Sequence, residues 1–180
     1  MREHITFGFV GIGLIGGSVA KALRRVYPSC KIIVYNRSAE PRVMAINDGT
    51  ANVAVPQVDK TFNECDYIFL CTPVEKNVEY LKILKDIIKD DCIITDVGSV
   101  KGNIHKAVEE LGLKKNFIGG HPMAGSEKTS YTYANDRLVE NAYYAITPTD
   151  AVSKERVEEF TEIVQGIGAI PINISYEEHD

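Results

Sequence analysis

The chain has 180 residues, 44% of them hydrophobic and 25% charged, enough for one globular unit that buries a core without disulfide or metal staples. A net charge of −5 excludes the basic footprint of a nucleic-acid or membrane-surface binder, so neither partner is expected. Cys30, Cys65, Cys71 and Cys92 form no CxxC pair, and no apolar run nears the roughly 18 residues of a membrane span, so reduced thiols and a cytoplasmic location are expected.

Strands and helices alternate along the chain. Residues 5–10 read as a buried strand, and 16–27 as a helix with Val19, Ala20, Leu23 and Val26 on one face, closed by Pro28. A strand is predicted over 31–35 and a helix over about 41–48, with Gly49 as its stop. Residues 67–71 form another strand, and 74–88 a helix with Val78, Leu81, Leu84, Ile87 and Ile88 on one side. A strand over 92–96 precedes a helix over 101–111, and Phe117-Ile118 opens a further strand. Strands at 143–147 and 170–174 flank a helix over 153–165 that Ser153 caps. Continuous apolar strands separated by helices predict an α/β fold, a doubly wound, mostly parallel sheet of Rossmann type. Such sheets bind ligands beyond the carboxyl ends of their strands, and each unusual loop of this chain follows a strand.

The first of these loops, Gly11-Ile12-Gly13-Leu14-Ile15-Gly16-Gly17-Ser18, fits the GxGxxG pattern between a strand and a helix. Gly11, Gly13, Leu14, Ile15 and Gly16 are therefore candidate dinucleotide-binding residues: glycines for the tight turn and close approach, helix amides for the pyrophosphate. The second strand ends in Asn36-Arg37-Ser38 where a ribose-binding carboxylate is usual. Without that carboxylate, and with Arg37 and Ser38 able to pair with a 2′-phosphate, NADP is favoured; the other reading is NAD, with Asn36 on the ribose. Cys71, Thr72, Pro73 and Val74 are placed along the nicotinamide side of the crevice. Asp96-Val97-Gly98-Ser99-Val100-Lys101 offers a hydroxyl and an ammonium beside it, or else Ser99 only caps the following helix.

Gly119-Gly120-His121-Pro122-Met123-Ala124-Gly125-Ser126-Glu127 places one imidazole on a turn without bulky neighbours, with Pro122 biasing His121 toward extended backbone. A histidine held there can take or give a proton near neutral pH. The plainer alternative is a loop histidine bonded to a nearby carbonyl.

Together, Gly11 to Ser18, Asp96 to Lys101 and Gly119 to Glu127 resemble the nucleotide-binding domain of the prephenate dehydrogenases, the TyrA family, and the resemblance runs to Glu178-His179-Asp180. It implies NAD(P)+-dependent oxidation of prephenate, or of arogenate, with loss of CO2, giving 4-hydroxyphenylpyruvate or tyrosine, with no metal. By position it implies His121 as the catalytic histidine on the ring hydroxyl and Ser99 as a serine that orients it and contacts substrate and nicotinamide. Ser126 and Glu127 lie near the substrate, and Asp180 near the histidine. It further implies a dinucleotide-binding domain over 1–175, with 176–180 leading to a helical dimerisation domain that this chain lacks. A homodimer is expected for the full-length protein and little or no turnover for this chain alone. Two alternatives remain. One is another NADP-dependent enzyme of the fold, a β-hydroxyacid dehydrogenase or an imine reductase. The other is a nucleotide-sensing module in which His121 has no chemical role.

Overall fold

The computed structural model describes residues 4–180; residues 1–3, where the expected domain of 1–175 begins, lie outside the described residues. Strand β1 (Thr6–Val10) runs through α1 (Leu14–Val26) to β2 (Lys31–Tyr35), and through α2 (Ala39–Asn47) to β3 (Val53–Val55). The chain crosses back by a 3-10 turn at Lys60–Glu64 to β4 (Tyr67–Leu70), and α3 (Val74–Leu84) leads to β5 (Ile93–Asp96). These strands pair in the order β3-β2-β1-β4-β5, every pairing parallel. After α4 (Gly102–Glu110), β6 (Ile118–Pro122) joins the sheet beside β5 through a parallel bridge between Ile94 and Phe117. β7 (Tyr143–Pro148) is antiparallel to β6, and α5 (Lys154–Gly166) carries the chain to β8 (Ile170–Asn173), parallel to β7. The short α6 (Tyr176–His179) follows. The fold is the expected doubly wound, mostly parallel sheet, with β7 and β8 running opposite to the other strands.

The strands are apolar on both sides because helices cover both sides. On one face Phe7, Phe9, Ile32, Val34 and Phe69 pack with Val19 and Leu23 of α1 and Phe160 of α5, and the Phe9 and Phe69 rings stack at 4.9 Å. On the other, Val10, Ile33, Ile68, Leu70 and Ile94 meet Leu81 and Leu84 of α3 and Ile104 and Val108 of α4. The central strand carries Gly8 for space: a Cβ there would lie 2.7 Å from Cys65 Sγ.

Several boundaries differ from the predicted ones. α1 begins at Leu14 instead of residue 16, so the last glycines of the fingerprint already belong to the helix. α3 stops at Leu84 because the chain tightens there, with the Ile87 amide donating to Leu84 O at 2.9 Å, although Ile87 and Ile88 still pack on the core. β3 has only three residues, too few for alternation to be read. The expected turn at 119–121 is a correction: Gly119, Gly120 and His121 lie inside β6, with His121 opposite Ala145. These glycines serve close packing instead of a turn, since a Cβ on Gly120 would come 2.7 Å from Asp96 O.

Candidate active site

Strand order reverses between β1 and β4, so the loops after these strands bound the crevice. Gly11 leaves β1 at φ 95°, a left-handed conformation suited to glycine, and a Cβ there would sit 2.8 Å from Thr72 Cγ2. A Cβ on Gly16 would meet Cys71 Cβ at 2.9 Å, so the glycine loop lies directly on Cys71-Thr72. The amide and hydroxyl of Thr72 both donate to Asn77 Oδ1, Pro73 is the N-cap of α3, and Val74 is its first residue. Burial pushes the Cys71 thiol upward, which makes it a lining group and no nucleophile at neutral pH.

Asn36 has a structural task that sequence reading did not show. Its Oδ1 accepts from the Ile12 amide at 3.1 Å, and its Nδ2 donates to Ser38 O, which braces the glycine loop from the end of β2. Arg37 and Ser38 stand exposed at the same corner.

The segment after β6 lies over the start of α1. Leu14 donates its amide to Thr129 O at 2.9 Å, and a Cβ on Gly13 would meet that carbonyl at 2.9 Å. The next amides of the first turn have no partner within the helix, the arrangement that suits an anion. Gly13 to Gly16, Cys71, Val97 and parts of 124–129 enclose a groove of about 350 Å³. A roomier hollow of about 420 Å³ beside His105, Glu109 and Tyr176 lies away from the glycine loop.

Because β6 runs parallel to β5, His121 sits at the carboxyl end of the sheet, the same end as the glycine loop. Its Nδ1 lies 2.9 Å from His179 Nε2, and His179 Nδ1 lies 2.8 Å from Asp180 Oδ1. The aspartate sets the tautomers along this chain. His179 donates from Nδ1, its Nε2 accepts from His121 Nδ1–H, and His121 Nε2 keeps a lone pair. Burial first, then the neighbouring His179 and Lys101, lower the pKa of His121 below the ordinary 6.5, so it is a neutral proton acceptor at pH 7. Burial would raise the Asp180 carboxyl, but His179 and the amides of Lys101 and Gly102 outweigh that and hold it below the usual carboxylate range.

Those two amides, at 2.9 and 2.7 Å, show that Asp180 caps α4 across a long sequence distance. Ser99 therefore does not cap this helix. It stands exposed on the loop after β5, and no side chain of that loop serves as the cap. Lys101 also departs from expectation. Its ammonium is not presented to the crevice but is fully buried in an ion pair with Asp96 Oδ2. Burial raises Asp96 and lowers Lys101, each toward its neutral form, against their mutual attraction. Ser126 and Glu127 are exposed, and Ser126 Oγ accepts from the Lys128 amide at 3.1 Å, shaping the groove's rim.

Sequence reading missed His179, whose role appears only when α6 packs beside β6; its neighbour Asp180 was the available signal. It also missed Tyr144, buried beside Gly120 with a hydroxyl that has no hydrogen-bond partner among the described residues.

The sheet order, glycine cradle and histidine chain define a Rossmann-type nucleotide-binding domain with a proton-accepting site at its carboxyl edge. The family described as "Prephenate dehydrogenase, nucleotide-binding domain" matches residues 19–173, and the chain belongs to it. Prephenate dehydrogenase of Bacillus subtilis is 35% identical over 177 residues, covering 97% of this chain and 48% of that protein. The prephenate dehydrogenase of Lactococcus lactis is 37% identical over 174 residues, covering 95% and 47%. The chain thus spans about half the length of these relatives. Among solved structures, prephenate dehydrogenase from Aquifex aeolicus in complex with hydroxyphenyl propionate and NAD+ superposes with a TM-score of 0.90 at 34% identity, covering 97% of this chain and 61% of that one. Arogenate dehydrogenase from Synechocystis also superposes with a TM-score of 0.90, at 30% identity and with coverage of 97% and 61%.

Proposed function

We propose that this chain binds NAD(P)+ and supplies the proton-accepting half of a prephenate dehydrogenase active site. The observation that carries the reading is the Asp180–His179–His121 chain at the same end of the sheet as the glycine cradle. Gly11, Gly13, Ile15 and Gly16 hold the pyrophosphate, with Leu14 beside it, its amide given to Thr129 O; Asn36, Arg37 and Ser38 take the adenosine ribose, and Cys71, Thr72, Pro73 and Val74 the nicotinamide side. The tight cradle fits this assignment, because side chains at Gly11 and Gly16 would clash. A bound nicotinamide supplies the hydride acceptor. His121 Nε2 takes the proton of the substrate's ring hydroxyl as the carbinol carbon loses its hydride. The carboxylate then leaves as CO2, its bonding electrons enter the ring, and the proton returns from His121 to the phenolate oxygen. Ser99, Ser126 and Glu127 are assigned to the substrate's surroundings, on loops that border the crevice.

The exposed Arg37 and Ser38, with no carboxylate at the end of β2, support a preference for NADP. We assign residues 1–175 to the cofactor domain and 176–180 to its exit. The greater length of the relatives supports placing the carboxylate-binding contacts and a homodimer interface in sequence beyond these residues. The unpaired thiols support a cytoplasmic location.

The test has two stages. Calorimetric titration of this chain should give saturable binding of NADP+ and NAD+, NADP+ the tighter, with Arg37→Ala weakening NADP+ more than NAD+. The full-length protein, given prephenate and then arogenate, should form reduced nicotinamide with at least one of them. Failure to bind either dinucleotide, or full turnover by His121→Asn, overturns the reading.

A further inference from the structure

Asp96 is the carboxylate at the end of β5, and it holds several parts of the site at once. Its Oδ1 accepts from the Gly120 amide at 3.1 Å, one residue before His121. Its Oδ2 accepts from the Gly98 amide at 3.2 Å, one residue before Ser99, and receives the buried Lys101 ammonium. Lys101 faces the other way through its backbone, donating its amide to Asp180 Oδ1 at 2.9 Å. Asp180 holds His179, and His179 holds His121. The contacts close a ring: Asp96, Gly120-His121, His179, Asp180, Lys101 and back to Asp96. Ser99 lies between Gly98 and Lys101, both tethered to it.

Burying such a pair is weak support for stability, because desolvation offsets much of the attraction. A charge pair at full burial beside the reacting groups therefore calls for a role in geometry. We propose that Asp96 and Lys101 are positioning residues that set the Ser99 loop and the His121 strand in register for proton and hydride transfer, touching neither substrate nor cofactor. The inference rests on the functional reading above and deepens it.

The test compares Asp96→Asn, Lys101→Met, Lys101→Gln, the double variant Asp96→Asn/Lys101→Met and His121→Asn in the full-length protein. Each single variant of the pair should lower kcat by about tenfold to a hundredfold, the loss expected from misplacing reacting groups, with dinucleotide Kd near the native value. Lys101→Gln, which keeps a donor for Asp96, should recover part of what Lys101→Met loses. The double variant leaves no lone buried charge, so it should unfold near the native midpoint yet stay slow. Native kcat in a folded double variant overturns the proposal, reducing the pair to packing. In the unaltered protein the Gly98 and Gly120 amides should exchange hydrogen slowly, and exchange at open-loop rates overturns it as well. If His121→Asn itself retains native kcat, the functional reading fails instead. An inactive His121→Asn beside fully active pair variants sinks the positioning role alone.

Discussion

At the scale of single residues, the proton chemistry depends on which nitrogen of His121 is free. With Nδ1 committed to His179, Nε2 is the acceptor, and His121→Asn should lower kcat by about 10²–10⁴-fold, the usual contribution of a positioned base. Cofactor affinity, measured by titration, should remain native. His179→Phe keeps an aromatic ring but loses the acceptor that selects the tautomer, so kcat should fall by about 10–100-fold, as for other partners that orient an imidazole. Burial, with His179 and Lys101 nearby, lowers the pKa of His121 below the ordinary 6.5. The acid limb of the kcat/KM profile should accordingly lie at a pH under 6.5, and a limb well above that value would contradict the assignment. His121 itself was legible in the sequence because glycines and a proline surround it. His179 was not, since nothing in local spacing says that α6 will pack against β6.

Among the elements, the join between β1 and α1 and the start of α4 show how far sequence pattern reaches. The fingerprint glycines announced their loop, and the structure explains Gly16 by its contact with Cys71. Gly16→Ala should weaken dinucleotide binding, because the added methyl pushes α1 away from the end of β4; titration of the variant checks it. At the start of α4 the structure decides against one of two open alternatives, a Ser99 cap. A serine ahead of a helix is a common cap, yet the cap is the Asp180 carboxylate, held by the Lys101 and Gly102 amides. Asp180→Ala should destabilise the protein by about 1 kcal/mol, the typical loss of a cap, measured by urea unfolding. His121 and its two glycines were read as a turn because glycine usually marks one. In β6 the two glycines instead lie where any side chain would run into Asp96, Thr147 or His105.

For the whole molecule, stability should depend on pH through its buried histidines. Burial first, and then Lys101, lower His105 to about 4, while its Nε2 lies 2.9 Å from Thr147 Oγ1 and its ring stacks on Tyr176. Between pH 6.5 and about 4 the unfolded chain binds protons at His105 and His121 that the folded chain refuses, so stability falls as pH falls through that window. His105 contributes to that loss, and His105→Phe should flatten the curve. Urea unfolding at successive pH values checks both.

Fold class, the glycine-rich loop and the histidine proposed as the proton acceptor were within reach of the sequence, because apolar runs, glycine spacing and the GGHPMAGSE segment are local signals that the chain carries wherever it folds. The site's assembly was not. The Asp180 cap, the His179 link, the bracing of the glycine loop by Asn36 and the Gly120 amide on Asp96 all join residues far apart in the chain. Such pairings depend on which elements become neighbours, and only the assembled sheet, with α6 folded back on it, decides that.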